Sequence, residues 1–198
     1  HEHEHVIRMA GFKAAAYIGE AGRHIAADAE EVYEWPSLRE AMQQYPNLPK
    51  VAYVYMLQTQ GLMHDTYLYG LDVKKILPTF LYPTEVMDGA IISGNCVSAC
   101  DKNTTYHHLN NAVIRELFKR HGKDLNFIGV ILNPLMVTLK EKYRNTMMTV
   151  KLAQDLGAEA ALISQEGFGN PDTDLIMNTV KIEKIVTIER AHKEYSRR

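Results

Sequence analysis

Three short apolar runs constrain the fold more than any other feature of this sequence. They are KVAYVYMLQ at residues 50–58, NFIGVILN at residues 126–133 and AALIS at residues 160–164. Nearly continuous hydrophobicity in the first two runs is typical of strands that are covered on both faces of a parallel sheet, and the third run is also predicted to be a strand. The runs therefore predict a sheet that lies between layers of helix.

The segments between these runs carry helix signals. Ser37, followed by Glu40 three residues later, forms a capping-box sequence for a helix over residues 35–45. Apolar spacing and end signals predict further helices over residues 6–24, 110–121, 140–156 and 173–182. Weaker strand signals lie at residues 79–82, 90–92 and 184–189. This alternation predicts an α/β fold with a layered, mostly parallel sheet flanked by helices, in a single domain over residues 1–198.

Composition excludes several classes of protein. A hydrophobic content of 46% with 23% charged residues is typical of a globular protein. A formal net charge of -2 gives no basic field, so we expect no nucleic-acid partner. No apolar run approaches the roughly 18 residues of a membrane span, and no secretory signal is visible. Two cysteines without an export signal indicate the cytoplasm. The chain starts without an initiator Met, and we expect it to be part of a longer protein.

Both cysteines lie in the short stretch ISGNCVSAC, residues 92–100. They could pair as a disulfide, pack as small apolar side chains, or bind zinc as Cys96 and Cys100 together with His107 and His108. A fourth reading is cleavage of the peptide bond between Asn95 and Cys96. The residues alone leave these four readings open.

The cleavage reading has a defined chemistry. The Cys96 thiol lies close to the carbonyl of Asn95, so an N-to-S acyl shift is available if the peptide is strained and a base removes the thiol proton. Gly94 permits an unusual turn. β-Elimination then leaves a dehydroalanine, which tautomerises and loses ammonia to give an N-terminal pyruvoyl group. The resulting ketone can form a Schiff base with an amine.

Polar residues in the loops that follow strands are the candidates for a site, because ligands bind at the carboxyl ends of parallel strands. We expect His64, Cys96 and Glu166 to meet at one pocket. Each candidate also has a plain structural explanation, such as a polar loop pair, an ordinary turn, a solvated charge or a helix-entry loop. The candidates outside the cysteine stretch are His64, Asp65, Glu85, Asp88, Asp101, Lys102, Asn103, His107, His108 and Glu166.

Four segments resemble a known family. They are RMAGFKAAAYIGEA, VAYVYMLQTQGLMHDTYLYG, YPTEVMDGAIISGNCVSACDKNTTYHHLNN and ISQEGFGNPDTDLIMN. Together they resemble the proprotein of the alpha and beta subunits of component B of glycine, sarcosine and betaine reductases. The resemblance covers residues 6–184, while residues 185–198 depart from it. D-proline reductase uses related chemistry, but its cleavage region matches less well.

The resemblance implies an enzyme of anaerobic, Stickland-type metabolism in which Cys96 becomes a pyruvoyl group. That group would bind a small amino acid as an imine for reductive deamination. A selenocysteine-containing component B subunit and a carrier selenoprotein would be partners in a hetero-oligomer. The resemblance assigns a role to Cys96 alone. Residue type and loop position add Asn95, His64, Asp65, Asp101 and His107 as candidate catalytic residues. The same reasoning gives Lys102, Asn103, Glu85, Asp88 and Glu166 as candidate substrate-binding residues. The alternative is a non-enzymatic α/β scaffold subunit that stays uncleaved.

Overall fold

The computed structural model describes residues 2–60, 65–93 and 102–195. The chain forms two compact units, His1–Tyr33 and Glu34–Arg198. In the first unit, α1 spans Glu2–Glu20, which confirms the predicted helix, although it starts and ends about four residues earlier. Within the described residues, none of the helices combines the length and the apolar character that crossing a membrane requires.

The second unit alternates strands and helices along the chain. Its strands are β1 Lys50–Gln58, β2 Thr66–Leu68, β3 Leu71–Asp72, β4 Thr79–Leu81, β5 Ile91–Ser93, β6 Asn126–Leu135 and β7 Ala160–Gln165. Its helices are α2 Leu38–Gln44, α3 Pro83–Met87, α4 Thr105–Leu109, α5 Ala112–Arg120, α6 Leu139–Asp155 and α7 Asn170–Tyr195, with a 3-10 turn at Val73–Lys75. The capping box predicted from Ser37 and Glu40 begins α2.

The main sheet has the strand order β4-β6-β1-β7. Strand β1 lies in the middle and runs parallel to both β6 and β7, and β4 is antiparallel at one edge. Every residue of β6 is buried, and so is every residue of β1 after Lys50. The runs of β1 and β6 therefore did predict strands covered on both faces, whereas β7 is a partly exposed edge strand. The mostly parallel α/β sheet is confirmed.

A second, antiparallel sheet has the order β3-β2-β5. Its strands have only two or three residues, and β2 and β3 were not among the predicted strands. A tight turn joins β2 to β3 through Tyr69 and Gly70, whose φ angles are 48° and 81°. In this sheet Thr66 is the register partner of Ser93, the last residue of β5. The small sheet thus places Thr66 beside Ser93, although the two residues are far apart in sequence.

The two faces of the main sheet have different surroundings. The side that carries Tyr53, Tyr55 and Leu57, here called the tyrosine face, packs against β5 and α5 through residues such as Ile91 and Ile114. The opposite side packs against α6 and α7 and is called the α6–α7 face. Its apolar contacts come from Ala52, Val54, Met56, Ile128, Ile131 and Leu135 of the sheet and Val150, Ala153, Ile182 and Ile185 of the helices.

The strand predicted at residues 184–189 is wrong, because α7 continues through this segment. Its β-branched residues are typical of a strand. However, the buried positions Asp174, Asn178, Ile182 and Ile185 recur every three or four residues, which is the period of a helix face. Packing of that face against α6 and the sheet outweighs the local β-propensity. The short helices α3 and α4 were not predicted, and α3 starts at Pro83, a residue that is favoured in the first turn of a helix.

Candidate functional site

Glu166 joins the ends of two neighbouring strands of the main sheet. It directly follows β7, and its side chain is buried, with the residue only 4% exposed. Its carboxylate accepts a hydrogen bond from the backbone N–H of Gln58, at 2.7 Å, and from the backbone N–H of Asn103, at 3.0 Å. Gln58 is the last residue of β1. Glu166 therefore ties the carboxyl ends of β1 and β7 to the segment that precedes α4.

The glycine after Glu166 is required by this arrangement. Gly167 has a φ of +73°, and a Cβ atom there would lie 3.0 Å from Oε1 of Gln58. A side chain would therefore meet both backbone strain and a close contact. The sequence Gln-Glu-Gly thus allows the chain to turn tightly beside β1 while the carboxylate of Glu166 points at its backbone.

Tyr55 and His108 form the buried centre of the site. The His108 residue is fully buried on α4, and Tyr55 is 2% exposed on β1. The Tyr55 hydroxyl lies 2.7 Å from Nδ1 of His108. On the other side of the imidazole, Nε2 lies 3.2 Å from the Ser93 hydroxyl and 3.8 Å from Oε1 of Glu166. One imidazole therefore connects β1, the end of β5 and the loop after β7.

Ser93 and Asn103 bring together the chain on both sides of residues 94–101. The Ser93 hydroxyl donates to the backbone carbonyl of Asn103 at 2.5 Å, and the Ser93 N–H donates to the Thr105 hydroxyl at 3.0 Å. The Asn103 side-chain amide donates to the Tyr55 hydroxyl at 3.1 Å. The last described residue before residues 94–101 is thus hydrogen-bonded to the second described residue after them.

Lys102 makes a second link at this end of the sheet. The residue is 4% exposed, and its ammonium group donates to the backbone carbonyl of Asp65 at 2.5 Å. The Asp65 carboxylate forms an ion pair with Lys74 at 3.2 Å. The two described residues that follow residues 61–64 and residues 94–101 are therefore in direct contact.

Burial sets the protonation of the two central groups. Burial raises the pKa of Glu166 to about 7, although the N–H groups of Gln58 and Asn103 and the charge of Lys102 act in the opposite direction. Burial, followed by the charges of Lys102 and His107, lowers the pKa of His108 to about 4. Burial, together with the nearby Glu166 charge, also raises the pKa of Tyr55. At neutral pH the site combines a neutral imidazole with a carboxyl group that can hold or release a proton.

The other sequence candidates lie in different surroundings. Glu85 caps α3, where its carboxylate accepts from the Tyr82 N–H at 2.5 Å and from the Tyr69 hydroxyl. Asp88 is exposed at the end of α3. His107 is exposed, and its Nδ1 lies 2.9 Å from the Thr104 hydroxyl. Their predicted roles in binding and catalysis stay predictions.

Four predicted site residues lie outside the described residues, namely His64, Asn95, Cys96 and Asp101. The expected meeting of His64 and Cys96 with Glu166 is therefore untested. The zinc and disulfide readings are untested for the same reason. Among residues 2–60, 65–93 and 102–195, no group of three or more His, Cys, Asp or Glu side chains is placed to hold a metal ion.

Tyr55 and Ser93 were not among the residues predicted from the sequence. The signal for Tyr55 was a phenol in the middle of a continuous apolar run, because a buried tyrosine hydroxyl normally has a hydrogen-bond partner. Ser93 gave no comparable signal, because its role depends on where β5 ends relative to α4.

Comparison with known proteins gives a family. The model of the family described as glycine/sarcosine/betaine reductase component B subunits matches residues 1–193. The chain is 62% identical to the glycine reductase complex component B subunits alpha and beta of Acetoanaerobium sticklandii, over 93% of this chain and 43% of that protein. It is 59% identical to the sarcosine reductase complex component B subunit alpha of Peptoclostridium acidaminophilum, over 91% of this chain and 42% of that protein.

A more distant relative is the D-proline reductase proprotein PrdA of Acetoanaerobium sticklandii, 25% identical over 84% of this chain and 28% of that protein. No solved structure matches the chain. The chain spans less than half the length of the curated relatives named above. The family model matches nearly the whole chain, and the chain is about 60% identical to two named subunits of that family. The chain belongs to the family of glycine/sarcosine/betaine reductase component B subunits.

Proposed function

We propose that this chain is the pyruvoyl-forming part of an amino-acid reductase component B, and that the pyruvoyl group derives from Cys96. The relatives named as glycine and sarcosine reductase subunits support the reaction class, which is reductive deamination of a small amino acid. The relative named as a proprotein supports the idea of a precursor that is processed. The resemblance of SGNCVSAC to the family's cleavage motif supports Cys96 rather than Cys100.

The observation that carries the proposal is the polar cluster at the two ends of the cysteine stretch. Ser93 and Lys102 flank residues 94–101, and Cys96 is three residues from Ser93 in sequence. Against these ends lie the neutral imidazole of His108 and the Glu166 carboxyl, whose pKa burial raises to about 7. A group with a pKa near neutrality is suited both to accept a thiol proton and to return one to a leaving nitrogen. The groups that could accept and donate protons at these ends therefore support the formation of a pyruvoyl group.

The proposed processing balances with water as the only co-reactant. The Cys96 sulfur replaces the Cys96 nitrogen on the carbonyl carbon of Asn95, and that nitrogen takes up the thiol proton. Elimination breaks the Cβ–S bond, so the sulfur leaves on the chain that ends at Asn95 and the Cα proton goes to a base. The dehydroalanine takes up a proton on Cβ and gives one up from nitrogen as it becomes an imine, and water then replaces that nitrogen, which departs as ammonia. The outcome is a second chain that starts with a ketone.

When formed, such a carbonyl supplies an electrophile that condenses with a primary or secondary amine to give an imine. Lys102 and Asn103 would hold the substrate carboxylate, because they provide a cation and an amide directly after residues 94–101. Lys102 already donates to the Asp65 carbonyl, so its ammonium group is fixed in place. Betaine has no N–H and cannot form an imine, so a betaine enzyme would need electrostatic activation instead.

The partners belong to the proposal as well. The relatives are named as subunits of complexes, which supports a hetero-oligomer. We propose a selenocysteine-containing component B subunit that displaces the activated amine, and a carrier selenoprotein that accepts the carboxymethyl group. The low cysteine content is consistent with a reducing cytoplasm as the compartment.

Borohydride trapping tests this function. Purified protein is incubated with labelled glycine, sarcosine or betaine and then reduced, and the label is located on the separated chains. Glycine and sarcosine should be fixed on the chain that begins at residue 96, whereas betaine should not. Cys96→Ala should fix none, and its matched control Cys100→Ala should behave as the wild type. Absence of label with glycine and sarcosine would contradict an imine-forming site, and an uncleaved wild type would favour the scaffold alternative.

A kinetic test addresses Lys102. Lys102→Met should raise KM with little change in kcat, because carboxylate binding is felt about equally in the ground and transition states. Lys119→Met is the control, since Lys119 is exposed on α5. A fall in kcat with an unchanged KM would indicate that Lys102 acts in the chemical step and not in substrate binding.

A further inference from the structure

Four hydrogen bonds form a closed ring at the ends of the cysteine stretch. The ring runs from the Asn103 amide to the Tyr55 hydroxyl, then to Nδ1 and Nε2 of His108, to the Ser93 hydroxyl, and back to the Asn103 backbone carbonyl. The four donor–acceptor distances are 3.1, 2.7, 3.2 and 2.5 Å. His108 is fully buried, and Tyr55 is 2% exposed.

The direction of every bond in this ring follows from one fixed point. The Asn103 carbonyl can only accept, so the single Ser93 hydroxyl proton is committed to it. The Ser93 oxygen must then accept from Nε2 of His108, which therefore carries a proton. Because the imidazole is neutral, its Nδ1 is an acceptor and takes the Tyr55 proton. The Tyr55 oxygen can in turn accept from the Asn103 amide, and each donor in the ring has one acceptor.

We propose that this ring is a positioning device for the processing reaction, with Ser93, Tyr55 and His108 as its positioning residues. It holds Ser93 and Asn103, which lie before and after the cysteines in sequence, against the buried pair of Tyr55 on β1 and His108 on α4. This inference rests on the proposed function. A chain whose two ends are fixed samples fewer conformations, and acyl shifts of a peptide bond require an uncommon one.

The strand β1 provides a matched control for the loss of a buried hydroxyl. Tyr53 lies two residues before Tyr55 on the same face, stacks on it at 5.3 Å between ring centroids, and is 1% exposed. Its hydroxyl lies 2.6 Å from the Ser164 hydroxyl and is not a member of the ring. Tyr53→Phe and Tyr55→Phe therefore remove the same group from similar surroundings, and only the second breaks the ring.

The first measurement is the rate of self-cleavage. The purified precursor is unfolded and refolded, and intact mass is then measured over time to follow the formation of the two chains. Tyr55→Phe and Ser93→Ala should slow cleavage by about tenfold or more, which corresponds to about 1.4 kcal/mol. Ser93→Thr keeps the hydroxyl and should restore most of the rate. Tyr53→Phe should cleave within about twofold of the wild type while losing similar thermal stability. Equal rates for Tyr53→Phe and Tyr55→Phe in a cleaving wild type would overturn the positioning role.

The second measurement does not depend on cleavage. The ¹⁵N spectrum of imidazole-labelled Cys96→Ala protein should show His108 as the neutral tautomer with the proton on Nε2 at neutral pH. Tyr55→Phe in that background should shift the Nδ1 resonance, whereas Tyr53→Phe should not. A proton on Nδ1 would overturn the ring itself. If the wild type fails to cleave, the processing function fails together with the positioning role, and the ¹⁵N result then decides separately whether the ring exists.

Discussion

Two buried polar clusters lie on opposite faces of the same sheet, and they differ in how completely their groups are paired. On the tyrosine face, the ring of Asn103, Tyr55, His108 and Ser93 gives each donor an acceptor. On the α6–α7 face, a charged pair of Lys142 and Asp174 is surrounded by polar side chains. Several buried atoms there have no hydrogen-bond partner among the described residues, namely both side-chain atoms of Asn133, Oγ1 of Thr149, Oδ1 of Asp174 and Oδ1 of Asn178.

The cluster on the α6–α7 face has the buried ion pair of Lys142 and Asp174 at its centre. The side chains of Lys142 and Asp174 are 3% and 1% exposed, and the lysine also donates to the Asn170 carbonyl at 3.1 Å. Asn178 adds a long bond of 3.4 Å to the Thr146 hydroxyl. Burial raises the pKa of Asp174, and the lysine only partly offsets this. The pair joins α6 to α7, and neither helix contributes to the ring.

The comparison separates two uses of buried polarity. A buried ion pair is costly to break and contributes little compared with an apolar pair of the same shape, so its main effect is on how the helices pack. A ring of neutral, directed hydrogen bonds fixes the orientation of each member. We therefore expect substitutions on the α6–α7 face to act on stability, and substitutions on the tyrosine face to act on processing.

The largest effect should follow from removing one partner of the ion pair. Lys142→Met leaves the Asp174 carboxylate buried and uncompensated, and should lower the free energy of unfolding by about 3–5 kcal/mol. Adding Asp174→Leu should recover most of this loss. Urea unfolding measures both variants. Cleavage of the folded double variant should proceed as in the wild type, and a processing defect there would break the proposed division between the two faces.

The next effect concerns pH and the two titrating groups on the tyrosine face. Burial raises the pKa of Glu166 from 4.5 to about 7, so its stabilising contribution is present below pH 4.5 and is lost as pH rises through about 7. Burial lowers the pKa of His108 from 6.5 to about 4, so its contribution is present above pH 6.5 and is lost as pH falls through about 4. The two trends oppose each other in the wild type.

Single variants should reveal each trend in this pH range. The free energy of unfolding of Glu166→Gln, relative to that of the wild type, should increase as pH rises from about 4.5 to 7. The variant lacks the buried carboxyl group whose deprotonation destabilises the wild type over that range. His108→Gln should show the opposite difference between about pH 4 and 6.5. Chemical unfolding at a series of pH values gives both curves. Parallel curves for wild type and variants would contradict the burial of these groups.

Elements of the fold and site that depend on neighbouring residues in the sequence could be predicted, whereas those that depend on contacts between distant residues were harder to predict. The bounds of β1 and the capping box of α2 are local, and both were predicted. The strand expected at residues 184–189 is wrong because α7 continues through it, with Ile185 on the helix face that packs against α6. Glu166, Lys102 and Asn103 stood out because they lie in the loops around strand ends. Tyr55 gave a sequence signal as a phenol within an apolar run, whereas Ser93 could be assigned to the site only from the positions of β5 and α4.

A smaller effect tests the tight turn beside Glu166. Gly167 and Gly169 have φ angles of +73° and +78°, but only Gly167 would place a Cβ against Gln58. Gly169→Ala should cost about 1 kcal/mol from backbone strain alone, and Gly167→Ala about 2 kcal/mol or more. Gly167→Ala should also slow cleavage, because it displaces the neighbouring carboxyl. Thermal unfolding and cleavage rates measure this pair, and equal behaviour would separate Glu166 from processing.

The smallest effect is expected at the partly exposed ion pair of Lys74 and Asp65. Their side chains are 33% and 19% exposed, so solvent screens the interaction. Lys74→Met should change the free energy of unfolding by less than about 1 kcal/mol and leave processing unchanged. A large loss of cleavage in this variant would show that the Asp65 carboxylate depends on Lys74 for a role in the reaction.

The central claim is that Cys96 is converted to a pyruvoyl group, and intact mass under denaturing conditions tests it most directly. The wild type and Cys100→Ala should each give two chains, the second starting at residue 96 and gaining the mass of one hydrazone after treatment with a carbonyl-reactive hydrazine. Cys96→Ala should give one chain that does not react. A single unreactive wild-type chain, or cleavage that persists in Cys96→Ala, would contradict the account.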